Sequence, residues 1–147
     1  MSGFQTDLLT GLAVYLAENI AGVTWSPNGT YGVAATGIVL GNIPQTPDRC
    51  ITLTAYGVSD SPALSDSVIG VQVRCRWDLA DPRPVDDLAD SIFDLLHGNT
   101  ALALSTGVTI VQCLRNSATS LGQDANGRWS QVANYYATCH RPSANRT

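Results

Sequence analysis

The chain has 147 residues, 44% of them apolar and 14% charged, which excludes disorder and suits one domain that buries roughly two-thirds of its unfolded surface. Its formal net charge is −4, and all eight of its cations are arginine, which excludes the basic footprint of a non-specific nucleic-acid binder. No run approaches the ~20 apolar residues of a membrane span, and MSGFQTDLL has neither a positive n-region nor a cleavage site, so the expectation is a cytoplasmic chain without a membrane partner, its four cysteines reduced.

In chain order, Leu8, Leu9, Leu12, Leu16 and Ile20 line one face of a first helix predicted over about 6–21. Thr6 or Asp7 caps it and Gly22 ends it. Trp25-Ser26-Pro27-Asn28-Gly29 reads as turn, and residues 30–36 fit no pattern. Ile38-Val39-Leu40 reads as a short strand. An extended loop with two prolines follows, to Arg49. Residues 50–56 form the next strand, with Ile51, Leu53 and Ala55 on one face and Thr52, Thr54 and Tyr56 on the other. Residues 57–67 are polar around Pro62 and read as a long hairpin connection or flexible loop.

The clearest signals lie in residues 65–98. Val71, Val73, Cys75 and Trp77 alternate with Gln72, Arg74 and Arg76, the period of a half-buried strand. After a proline turn, Val85, Leu88, Ala89, Ile92, Leu95 and Leu96 make an apolar helical stripe that starts near Pro84 and closes at His97 and Gly98. Ala101 to Leu104 form an apolar patch of undecided type. Residues 108–115 form a strand, residues 116–128 a second long loop, residues 129–141 a final strand, and the rest a polar tail. The expected fold is α+β: a single four- to five-stranded, mainly antiparallel sheet with two helices packed on one face and long inter-strand loops. The pairs 50–56/68–77 and 108–115/129–141 are expected to be antiparallel.

Chemistry is hard to find. Cys50, Cys75, Cys113 and Cys139 sit singly on predicted strands, without the close pairing that zinc sites favour. His97 and His140 have no nucleophile elbow to serve. Asp86, Asp90 and Asp94 share a helical face at i, i+4 spacing, which reads as a solvated or interface-facing acidic side. Residues 122–127 lack the register and the distal glutamate of a calcium loop, and no phosphate loop occurs. Catalytic, cofactor and metal residues are therefore expected to be none. Arg74 and Arg76 lie opposite the apolar face of their strand, and two readings stay open: they face water, or they meet aspartates of a neighbouring subunit through the planar guanidinium fork.

Several segments together resemble a known family. They are Asp7-Leu8-Leu9; Gly37-Ile38-Val39-Leu40-Gly41 with Pro47-Asp48-Arg49; Val58-Ser59-Asp60 with Leu64-Ser65-Asp66; Gly70-Val71-Gln72 with Arg74; Val85-Asp86-Asp87-Leu88-Ala89-Asp90; Leu121-Gly122-Gln123-Asp124; and Asn126-Gly127-Arg128-Trp129. In order and joint occurrence these are similar to the tail terminator proteins of long-tailed bacteriophages, also called minor capsid or minor tail proteins, of the type infecting actinobacteria. The resemblance implies a non-enzymatic virion protein, assembled in the host cytoplasm. It implies a homo-oligomeric ring of six that caps the tail tube, ends polymerisation and joins the tail to the head connector or stopper. DNA would pass only transiently through the lumen. The partners implied are the chain itself, the tail tube protein and the connector. Candidate interface residues are Arg74, Arg76, Arg49, Asp60, Asp66, Asp86, Asp90, Asp94, Gln123, Asp124 and Arg128. The alternatives are a head-completion or neck protein of the same virion, and, in another class, a small metal-dependent or hydrolytic enzyme.

Overall fold

The computed structural model describes residues 2–146. Nine elements follow in order: α1 (Phe4–Asn19), β1 (Val23–Thr24), β2 (Thr36–Leu40), β3 (Arg49–Asp60), β4 (Asp66–Trp77), α2 (Arg83–Leu96), β5 (Thr100–Ala103), β6 (Thr109–Gln123) and β7 (Trp129–His140). All seven strands join one mixed sheet in the order β1-β2-β3-β4-β7-β6-β5. The β1–β2 and β2–β3 pairs are parallel and the rest antiparallel.

Both helices lie on one face. In α1, Leu8, Leu12 and Leu16 recur at four-residue steps and are fully buried, against β1, β2 and β3. Gly11 sits on the same stripe because Leu104 and Thr106 come too close for a side chain; a Cβ there would lie 2.8 Å from that of Leu104. In α2, Val85, Leu88, Ile92 and Leu96 are buried on β4, β6 and β7. Pro82 caps α2 and Pro84 occupies its first turn, where the amides have no helical partner. Beneath the helices, Ile51, Leu53, Ile69, Val71, Val73, Cys75, Tyr135, Ala137 and Cys139 complete the core.

The expected α+β class and the two helices on one face hold, and both expected strand pairs are antiparallel. Three expectations are corrected. The sheet has seven strands instead of four or five, because the two-residue β1 and the four-residue β5 add edges too short to show a period. Helix α1 runs from Phe4 to Asn19 with Gly3 at its cap, instead of starting at Thr6 or Asp7. The long loops are mostly strand: β3 and β4 run out to Asp60 and Asp66, and β6 continues to Gln123, so only tight turns remain. The extensions of β3 and β6 are largely exposed on both faces, so they carry no apolar alternation; pairing with a neighbour makes them strands.

Candidate functional site

The surface that the sequence singled out is the sheet face without helices. Thr52 on β3, Arg74 on β4 and Val132 on β7 stand side by side there, as do Cys50, Arg76 and Ser130. This face is not bare. Strands β2 and β3 are parallel, so the chain must cross over between them. Residues 41–48 make that crossing on the helix-free side. Gly41, at φ +92°, turns the chain out of β2. The Leu53 carbonyl accepts its N–H at 2.9 Å, and Thr54 Oγ1 donates to its carbonyl at 3.0 Å.

Arg76 lies under this crossing, 2% exposed. Its Nη2 donates to the Pro47 carbonyl at 2.6 Å and to that of Gln45 at 3.3 Å; its Nε donates to that of Asp48 at 2.9 Å. Arg128 grips the same loop from the β6–β7 hairpin. Its Nη1 donates to the Gln45 carbonyl at 2.9 Å and to Asp48 Oδ1 at 3.1 Å, and its Nε to Asp124 Oδ2 at 2.7 Å. Asp124 in turn shapes the hairpin tip: its Oδ1 accepts the N–H groups of Asn126 and Arg128. The bond from the Arg128 N–H first, then that from Arg128 Nε and that from the Asn126 N–H, hold the Asp124 carboxyl below its ordinary pKa. Burial lowers the pKa of Arg76, whose hydrogen-bond acceptors are all neutral carbonyls. Burial also opposes the charge of Arg128, but its bonds to Asp124 and Asp48 outweigh that and raise its pKa.

Both open readings of Arg76 are therefore corrected. It faces neither water nor a neighbour, because the crossing loop covers it. Arg128 is likewise 7% exposed and engaged within the subunit. Arg74 differs. It is half-buried at the floor of a cleft of about 400 Å³, with Gly41, Asn42, Ile43, Thr52, Thr54 and Gln72 around it. Its Nε has no hydrogen-bond partner, and neither does Thr52 Oγ1 beside it.

The other predicted residues do not converge on one site. Arg49 stacks over Trp77 at 4.5 Å and bonds Asp78 at 2.8 Å. Asp60 and Asp66 flank the β3–β4 turn, the first 3.8 Å from Arg146 and the second 3.3 Å from His140 Nδ1. Asp86 accepts a hydrogen bond from Gln131, whereas Asp90 and Asp94 stand exposed along α2. Gln123 is exposed at the β6–β7 tip, and its Nε2 donates to the Gly127 carbonyl at 3.2 Å. Two structural roles were missed in the sequence. Arg146, in the supposed tail, donates to the carbonyls of Leu64 and Asp66 and ties the chain end to the β3–β4 turn. His97 Nδ1 accepts the N–H of Arg115 at 2.9 Å, where α2 meets β6.

Among the described residues, no three His, Cys, Asp or Glu side chains are placed to hold a metal ion. The four cysteines are free thiols, all buried. No helix is long and apolar enough to cross a membrane.

Comparison with known proteins gives two results. A family model described as bacteriophage tail terminator protein matches residues 18–141. Seventeen chains of solved structures match in fold. One of them, from a structure titled virion of native gene transfer agent particle, has a TM-score of 0.59 at 15% identity; the match covers 93% of this chain and 98% of that one. No curated protein sequence matches.

Proposed function

The chain belongs to the bacteriophage tail terminator family, and on that footing we propose that it closes into a ring of six copies that caps the finished tail tube. The cap stops further polymerisation and offers its other end to the head connector or stopper protein. The observation that carries this reading is the family match over most of the chain. The fold shared with a chain of a gene transfer agent virion supports a place in a virion particle.

The physical reading of the subunit agrees. A ring is a heterologous assembly in which one patch meets a different patch on the next copy. Among the predicted interface residues, Arg74, Asp90 and Asp94 have no hydrogen bond or ion pair within the subunit among the described residues, so they are free to meet a neighbour, the tube or the connector. Arg76, Arg128 and Asp124 act one step back, by holding the crossing loop and the hairpin tip in place. With a net charge of −4, the ring passes DNA through its lumen without retaining it.

The test is polymerisation of the tail tube protein with and without this protein. Added at a small fraction of the tube subunits, it should sit at tube ends and arrest growth, leaving short tubes of narrow length distribution. Unchanged tube lengths at saturating amounts would sink the capping reading.

A further inference from the structure

We propose that neighbouring copies in the ring join edge to edge, β6 of one subunit pairing with β3 of the next to make a sheet continuous across the boundary. This rests on the ring reading above and adds the surface by which the ring is made.

Besides the outer sides of the short terminal strands β1 and β5, two longer stretches of backbone edge are open among the described residues, at diagonally opposite corners of the sheet. Strand β5 covers β6 only from Thr109 to Gln112. Just beyond, the Cys113 N–H and carbonyl are bonded by Asn99 and Gly98, and the Arg115 N–H by His97. From residue 116 to 123, among the described residues, β6 pairs with no strand but β7; on the stretch itself, Thr119 Oγ1 donates to the Ser120 carbonyl and Ser120 Oγ accepts the Gly122 N–H. At the other margin β2 covers β3 only from Arg49 to Leu53, whose carbonyl accepts the Gly41 N–H, and the Thr54 side chain donates to the Gly41 carbonyl. Residues 55–60 are then bonded only on the β4 side. The open stretches are about 27 Å and about 20 Å long at strand rise. Each is long enough for a docked strand.

Polarity fits. Successive antiparallel pairings through β4 and β7 make β6 run opposite to β3. Two copies set side by side in the same orientation therefore present β6 to β3 as an antiparallel pair, with main-chain hydrogen bonds supplying affinity. The open halves sit at different heights on the sheet, so the strands must tilt for the contact to close by rotation. Closed sheets require such a stagger.

Side chains point the same way. Of the eight large hydrophobic residues exposed among the described residues, three lie on the open stretches: Tyr56 and Val58 on β3, and Leu121 on β6. Protected edges usually carry lysine, proline, inward charge or a bulge. Residues 116–123 have no lysine, proline or charge, and residues 55–60 have only Asp60, at their end. What they do have is bulges, at Gly57/Ser59, Arg115/Ser117 and Ser120/Gly122. Bulges increase twist and restrict the registers that pair, which suits a ring of fixed size over an open fibre.

Electron cryomicroscopy of the neck of intact virions tests this. Residues 116–123 of one copy should lie at ladder distance, about 4.8 Å, from residues 55–60 of the next. A ring whose copies meet elsewhere, with both edges in solvent, overturns the pairing and leaves the capping reading standing. No ring of this chain at the tail end overturns both. A covalent readout is independent. Val58→Cys is combined in turn with Ser117→Cys, Thr119→Cys and Leu121→Cys, and purified virions are oxidised. Within one subunit β4 and β7 separate the two positions, so a bond forms only between copies. At least one pair should give a dithiothreitol-sensitive ladder of multimers; monomer alone from all three overturns the pairing.

Discussion

Arg76 Nη2 donates a 2.6 Å hydrogen bond to the carbonyl of Pro47, across the parallel crossing between β2 and β3. That contact turns a strand residue into the anchor of a loop. Arg76→Ala strands the Pro47 and Asp48 carbonyls and releases the crossing, and should cost about 2–4 kcal/mol in urea unfolding. Arg76→Lys recovers only part of it, since an ammonium cannot reproduce the planar fork.

Arg74 is two residues away and should behave differently. Among the described residues its side chain has no hydrogen-bond or ion-pair partner within the subunit, and its Nε is unsatisfied. Arg74→Ala should leave the fold intact, within about 1 kcal/mol of the parent in the same titration, and reduce incorporation into particles. A loss of stability equal to that of Arg76→Ala would show that Arg74 belongs to the loop anchor instead.

Gly11 tests the seat of α1. Alanine in a helix interior normally gains about 1 kcal/mol over glycine. Here the new Cβ would meet the Leu104 Cβ at 2.8 Å and Thr106 Oγ1 at 2.7 Å. Overpacking of this kind costs about 1–3 kcal/mol, so Gly11→Ala should lower stability despite the better helix former. A rise in the unfolding midpoint would show that α1 can lift off the 104–106 turn without loss.

The thiols make a prediction about alkali. Burial pushes Cys75 and Cys139 up to about 12 and Cys113 up to about 11, and raises Cys50 as well. A thiol with a raised folded pKa contributes stability that is complete below its unfolded value, about 8.5. That contribution is lost as pH rises through the folded value. Melting temperature should therefore fall from about pH 8.5 upward, and Cys75→Ala should flatten the slope. At pH 8 a thiol reagent should find no reactive group in the native protein and four in denaturant; a fast native reaction would contradict the buried placement.

The apolar half of this fold was legible in the sequence. Val71, Val73 and Cys75, and the stripe Val85, Leu88, Ile92 and Leu96, are buried as their periods require, because a period reports directly which face leaves water. The polar half was not. Arg76 falls on the face opposite that core, and nothing local says that residues 41–48 cross over it; the cover is set by the parallel β2–β3 connection, a topological fact. Likewise Asn116-Ser117-Ala118-Thr119-Ser120 has the composition of a loop and is a strand, because both its faces are wet and its partner is β7. The candidate interface therefore split. Among the described residues Arg74, Asp90 and Asp94 have no side-chain partner within the subunit, while Arg76, Arg128 and Asp124 hold it in shape. The open edges of β3 and β6 became visible only when β2 and β5 proved short.

A protein that ends tail growth and joins the tail to the head shows its role most plainly when it is removed. Electron microscopy of particles made without it is the most direct measurement. Abnormally long tails unattached to filled heads are the expected result, restored to normal length when the protein is supplied. Tails of normal length in its absence would contradict that role.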